Sequence, residues 1–108
     1  MATPAIVFSN GTITTTTSEQ TIFELIADRY SRAYLNLKNM IGGDTYRVRI
    51  YIWDEQLGEY MKVEQTDYSG AQDPAGKRLA FEAATRYKVT IQRTAGGDRA
   101  VTWLRAQV

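Results

Sequence analysis

The chain has 108 residues, 44% hydrophobic and 23% charged, enough for one globular domain whose core needs no metal or disulfide staple. Thirteen basic residues against twelve acidic give a net charge of +1, without the basic excess expected of a nucleic-acid binder. Cysteine and histidine are both absent, which removes thiolate chemistry, the usual general base and the usual transition-metal ligand.

No segment reaches the roughly 18 apolar residues of a membrane span. The start, Met1-Ala2-Thr3-Pro4-Ala5-Ile6-Val7-Phe8, lacks the basic opening and long apolar stretch of a signal peptide, so the expectation is a soluble protein made in the cytoplasm. Residues 5–8 read as a first short strand. Asn10-Gly11 follows, a dipeptide suited to a tight hairpin turn, and the turn is preferred over the glycosylation acceptor that Asn10-Gly11-Thr12 also spells. Residues 11–17 are threonine-rich; branching at Cβ favours a strand, and the hydroxyls suit a wet edge. Residues 1–17 are thus an N-terminal arm or edge strand of a single domain spanning 1–108.

Residues 18–41 carry two readings. Ile22, Ile26, Tyr30, Ala33, Leu37 and Ile41 lie at spacings that would line one face of a helix. Against this, Ala33, Leu35 and Leu37 alternate with Tyr34, Asn36 and Lys38, and the polar run 28–32 interrupts the pattern. Two strands, 20–27 and 32–38, are the preferred assignment.

Gly42-Gly43-Asp44 turns the chain into Tyr46-Arg47-Val48-Arg49-Ile50-Tyr51-Ile52-Trp53, the clearest period-two segment. Tyr46, Val48, Ile50 and Ile52 fall on one face; Arg47, Arg49, Tyr51 and Trp53 fall on the other. Only a strand separates successive side chains in this way. A short loop with Gly58 joins strands 45–53 and 60–66 into an antiparallel hairpin. The loop 67–76 is the longest, strands 77–82 and 86–93 follow, and Ala95-Gly96-Gly97-Asp98 turns into a last strand, 99–107. Gly-Gly-Asp occurs twice, at 42–44 and 96–98, and turn chemistry alone accounts for the repeat. The pattern predicts an all-β antiparallel sandwich, jelly-roll or Ig-like, of about eight strands with little helix. Its expected core is Phe23, Leu25, Leu35, Leu37, Val48, Ile50, Ile52, Val63, Phe81, Val89 and Ile91.

Chemical constellations are sparse. Asp54, Glu55, Glu59, Glu64, Asp67 and Asp73 supply carboxylates, but in loops or outward positions rather than as a pair facing across a cleft. Asp67 and Asp73 lack calcium-loop spacing, Ser69-Gly70 lacks a nucleophile-elbow pattern, and no phosphate-binding glycine loop is present. No catalytic residue, cofactor or metal is expected. The outward aromatics and arginines are more informative, because such residues supply hot-spot contacts between proteins. The candidate interface comprises Tyr34, Arg47, Arg49, Tyr51, Trp53, Tyr68 and Trp103, with either Trp103 or Leu104 required to point away from the core. The same aromatics could stack on sugar rings.

Three blocks of the chain carry a resemblance. They are Leu35-Asn36-Leu37-Lys38-Asn39-Met40-Ile41-Gly42-Gly43-Asp44-Thr45-Tyr46-Arg47-Val48-Arg49-Ile50-Tyr51, then Tyr68-Ser69-Gly70-Ala71-Gln72-Asp73-Pro74, then Tyr87-Lys88-Val89-Thr90-Ile91-Gln92-Arg93-Thr94-Ala95-Gly96-Gly97-Asp98-Arg99. In this order they resemble small β-proteins of tailed phages and environmental viral sequences, over roughly residues 19–108; the threonine-rich opening lies outside. The resemblance implies a virion structural protein of the capsid decoration or cement type, made in the host cytoplasm and located in the virion. Its implied partners are the major capsid protein or other virion proteins and further copies of itself, with neither nucleic acid nor membrane. No catalytic residue transfers with it. A carbohydrate- or receptor-binding module of a tail or fibre is the alternative.

Overall fold

A computed structural model describes residues 7–26, 31–80 and 86–107. It contains eight strands: β1 (Val7–Thr14), β2 (Gln20–Ile26), β3 (Ser31–Asn36), β4 (Thr45–Asp54), β5 (Glu59–Ser69), β6 (Gly76–Ala80), β7 (Arg86–Ala95) and β8 (Ala100–Gln107). Among the described residues there is no helix. The ambiguous stretch resolves into β2 and β3.

Two four-stranded antiparallel sheets form the sandwich, in the orders β1-β8-β3-β6 and β2-β7-β4-β5. The pairings are nested: β4 with β5, β3 with β6, β2 with β7, β1 with β8. The chain is one long hairpin rolled into two layers, and this is the strand order of a jelly roll rather than an Ig domain. Strands β1, β3, β5 and β7 all finish at one end, where the connections 15–19, 37–44, 70–75 and 96–99 meet; the β4–β5 turn lies at the other.

The core lies between the sheets. Tyr46, Val48 and Ile50 of β4, Tyr87, Val89 and Ile91 of β7, Ala33 and Leu35 of β3, Leu79 and Val101 are all buried, with Ile22, Phe23, Leu37 and Met40. Alternation therefore placed Phe23, Leu35, Leu37, Val48, Ile50, Val89 and Ile91 correctly, and Ile52 packs partly buried against them. Val63 does not join: it is 47% exposed. Between Ile50↔Glu64 and Tyr51↔Lys62 the register slips, leaving Val63 as the extra residue of a β-bulge. A second slip, between Thr21 and Phe23, lets consecutive Ile22 and Phe23 both be buried. Phe81 and the Leu25 side chain lie outside the described residues.

Asn10-Gly11 is not a turn. Both residues lie inside β1, an edge strand paired with β8 from Val7↔Gln107 to Thr14↔Ala100. Gly11 is opposite Trp103, and a Cβ there would meet the indole at 2.8 Å. The glycine admits the ring, one of the reasons glycine occurs within strands. The 67–76 loop is likewise shorter than expected, because β5 continues to Ser69.

Candidate interaction surfaces

Arg47, Arg49, Tyr51 and Trp53 share the outer face of the β2-β7-β4-β5 sheet, where the alternation of β4 directs them. Each is half-buried by its neighbours. Arg47 forks onto Asp67 with bonds of 2.8 and 3.1 Å, and this contact holds the Asp67 carboxyl below its usual range. Arg49 donates to Gln65 and Gln92, each at 3.0 Å, and lies 3.4 Å from Glu19. Glu19 accepts from the Tyr51 hydroxyl at 2.6 Å and from Thr90 at 2.5 Å. Burial pushes the Glu19 carboxyl up, but those hydroxyls and the Arg49 charge outweigh it and the net shift is downward.

The aromatic rings of this face are occupied as well. Trp53 meets Tyr60 edge-on at 5.1 Å, with the Arg86 guanidinium 4.7 Å from the Trp53 centroid. The Lys88 ammonium sits 4.9 Å from Tyr51 and 4.6 Å from Tyr60. Arg86 also pairs with Glu24 at 3.2 Å. Such cation–π stacks and cross-strand ion pairs hold neighbouring strands together across this face. The surface is a lattice of internal contacts, with its aromatics and arginines already engaged.

Tyr34 stands apart, on the outer face of the other sheet. Its cross-strand neighbours are Leu104 on β8 and Arg78 on β6. Tyr34 is 37% and Leu104 42% exposed, so Leu104, not Trp103, is the residue of that pair that points away from the core. Beside them runs a groove of about 540 Å³ whose lining includes Asn36, Lys38, Ala75, Gly76 and Thr102 as well as Tyr34 and Leu104. Gly76 opens it: a Cβ at that position would meet nothing within 4 Å. Alternation in 32–38 and 99–107 carried the signal for this face, but only the register shows that Tyr34, Leu104 and Arg78 form one row.

Tyr68 and Trp103, two further members of the candidate interface, are half-buried and pack against the core. Tyr68 is paired with buried Tyr46 and packs on the core beneath the Lys77 ammonium, 5.2 Å from its ring. Trp103, opposite Leu35, packs against Phe23 at 5.4 Å.

The two Gly-Gly-Asp turns, unrelated in sequence terms, meet in space. Asp44 is 2% exposed. Its carboxylate accepts from the Gly97 amide at 2.9 Å, the Ile41 amide at 3.0 Å and Arg99 Nε at 3.1 Å. These donors, the Gly97 amide foremost, hold its pKa at about 2. Its carbonyl accepts from the Gly70 amide at 2.8 Å, and Arg99 exchanges backbone and hydroxyl bonds with buried Thr15. The Asp44 carboxylate thus joins the 37–44 and 96–99 connections, the Asp44 carbonyl reaches Gly70, and Arg99 carries the link on to Thr15. The saturated bonds of the carboxylate assign it a structural role.

The remaining carboxylates are dispersed. Asp54 Oδ1 accepts from the amides of Gln56 and Leu57 and shapes the β4–β5 turn. Asp67 is held by Arg47. Among the described residues no three metal-ligating side chains come together. No protein-family model matches the chain, and no curated protein matches it in sequence.

Proposed function

We propose that this chain is a structural subunit of a virus particle, a decoration or cement protein that binds an assembled shell and other copies of itself. The observation that carries this reading is where apolar surface remains exposed. Tyr34 and Leu104 lie on one sheet face, Leu57 at the β4–β5 tip, Met61 and Val63 along the β5 edge, and Ile41 at the four-connection end. A subunit of a lattice has several neighbours and needs several contact points; a single-ligand module needs one. Binding only the assembled shell also stabilises that shell by mass action.

The resemblance to phage proteins supports the viral setting. Jelly rolls serve both capsid and lectin domains, so the fold is compatible with shell and sugar binding alike and is an analogy only. Sugar binding remains the second reading, favoured by the exposed ring of Tyr34 beside Asn36 and Thr102 in one groove. Mass spectrometry of purified particles tests the first: hundreds of copies per particle are expected, a handful moves the protein to the tail, and absence overturns the reading. Glycan-array binding that is lost in Tyr34→Ala would favour the second.

A further inference from the structure

The β4–β5 turn is an apolar point within an acidic ring. Leu57 is 71% exposed at its apex. Asp54, Glu55 and Glu59 surround it in a hexapeptide, Asp54-Glu55-Gln56-Leu57-Gly58-Glu59, that contains no base. The turn is preformed: Asp54 Oδ1 caps the Gln56 and Leu57 amides at 3.0 and 3.1 Å, the Gly58 amide donates to the Asp54 carbonyl at 2.8 Å, and Gly58 takes φ 67°. The pairs Trp53↔Tyr60 and Asp54↔Glu59 carry the hairpin beyond Ile52↔Tyr87, the last β4–β7 pair among the described residues.

The Tyr34–Leu104 groove has the opposite character. Its apolar walls are flanked by exposed Lys38 and Arg78, and the outward strand positions of this sheet carry no carboxylate among the described residues. Asn36 and Gly76 of the groove lie where β3 ends and β6 begins; the tip lies where β4 ends and β5 begins. In this strand order those are opposite ends of the sandwich.

We propose that the β4–β5 tip of one copy docks in the Tyr34–Leu104 groove of the next, seating Leu57 between the apolar walls with its carboxylates against Lys38 and Arg78. The two surfaces differ, so the contact is heterologous and head-to-tail. It leaves a free groove and a free tip on every pair and propagates into a ring or a filament. Rigid presentation of Leu57 limits the entropy lost on docking, and the charge match sets orientation and speeds encounter. The biological setting rests on the reading of the chain as an assembly subunit, but the contact is tested on the purified full chain without particles. Its failure is therefore separate from that of the particle experiment.

Sedimentation velocity of wild-type protein from micromolar to millimolar concentration is expected to show mass rising past two chains. Leu57→Lys disables the tip at an exposed position. Gly76→Leu places an isobutyl group in the groove from a position where an added Cβ meets nothing within 4 Å. Each variant alone should remain a single chain throughout. Mixed in equal amounts they should form a two-chain species and nothing larger, because one intact tip meets one intact groove. A wild-type protein that stays a single chain, a variant that associates like wild type, or a mixture that recovers nothing overturns the proposal. Circular dichroism matching wild type confirms that either variant is folded.

Discussion

Gly96 packs closely against Asp44 across the two Gly-Gly-Asp turns. Gly96 adopts φ 81°, and a Cβ there would lie 2.5 Å from the Asp44 Cα and 2.7 Å from the Gly43 carbonyl. Gly96→Ala therefore combines left-handed backbone strain with a backbone clash, and should cost about 1–3 kcal/mol or more in urea unfolding. Gly76→Ala, with open space and ordinary backbone, should stay within about 0.5 kcal/mol of wild type. For Asp44 the sign follows from its depressed pKa, about 2 against an ordinary 3.8. Its ionised form stabilises the fold above the unfolded value, and that contribution is lost as pH falls from 3.8 towards 2. Asp44→Asn presents an amide NH₂ where one of the donors needs an acceptor, so its urea midpoint should fall well below wild type at pH 7. The gap should narrow steadily below pH 4. A gap independent of pH would show that the charge contributes nothing. Sequence offered only the repeated Gly-Gly-Asp as a clue, since nothing local reveals that turns 53 positions apart share one carboxylate.

At the scale of strands, the sequence pattern located β2 to β8 but broke β1 at a turn expected at Asn10-Gly11; alternation oriented β3, β4 and β7 correctly, because each buries one face against the opposite sheet. It failed where the register slips. Val63 reads as a core position beside Met61 and Glu64, but the bulge leaves it exposed, while the slip in β2 buries two successive residues. A bulge has no strong sequence mark; it is set by pairing with a partner strand. Ile50 and Val63 separate the two descriptions experimentally. Ile50→Ala empties a packed site between sheets and should cost about 2–5 kcal/mol. Val63→Ala should cost less than about 1 kcal/mol, whereas strict alternation predicts similar losses for both. The same limit explains the divided interface set: alternation separates the two faces of one strand, but cannot show that arginines and rings on an outer face already satisfy one another, nor choose between adjacent Trp103 and Leu104.

For the molecule as a whole, nested pairing sets the first strand against the last. β1 joins only β8, the strand most distant from it along the chain, so closure of that pair encloses every other element. Such non-local order makes folding slow relative to helical domains, in the millisecond-to-second range typical of sandwiches. β1 is nevertheless tied into the core: Ile13 packs partly buried against it, paired with buried Val101, and Gly11 lies under Trp103. Deleting residues 1–14 would uncover Trp103 and Val101 and turn β8 into an unprotected edge. The loss equals at least one buried aliphatic side chain, about 2–5 kcal/mol, against a total stability of about 5–15 kcal/mol for a domain of this kind. The truncated chain should retain strand content by far-UV circular dichroism at low temperature but unfold at least roughly 10 °C below wild type, with red-shifted tryptophan emission. An unchanged melting temperature and emission would mean that β1 contributes little to the sandwich, and that the remaining seven strands enclose Trp103 on their own.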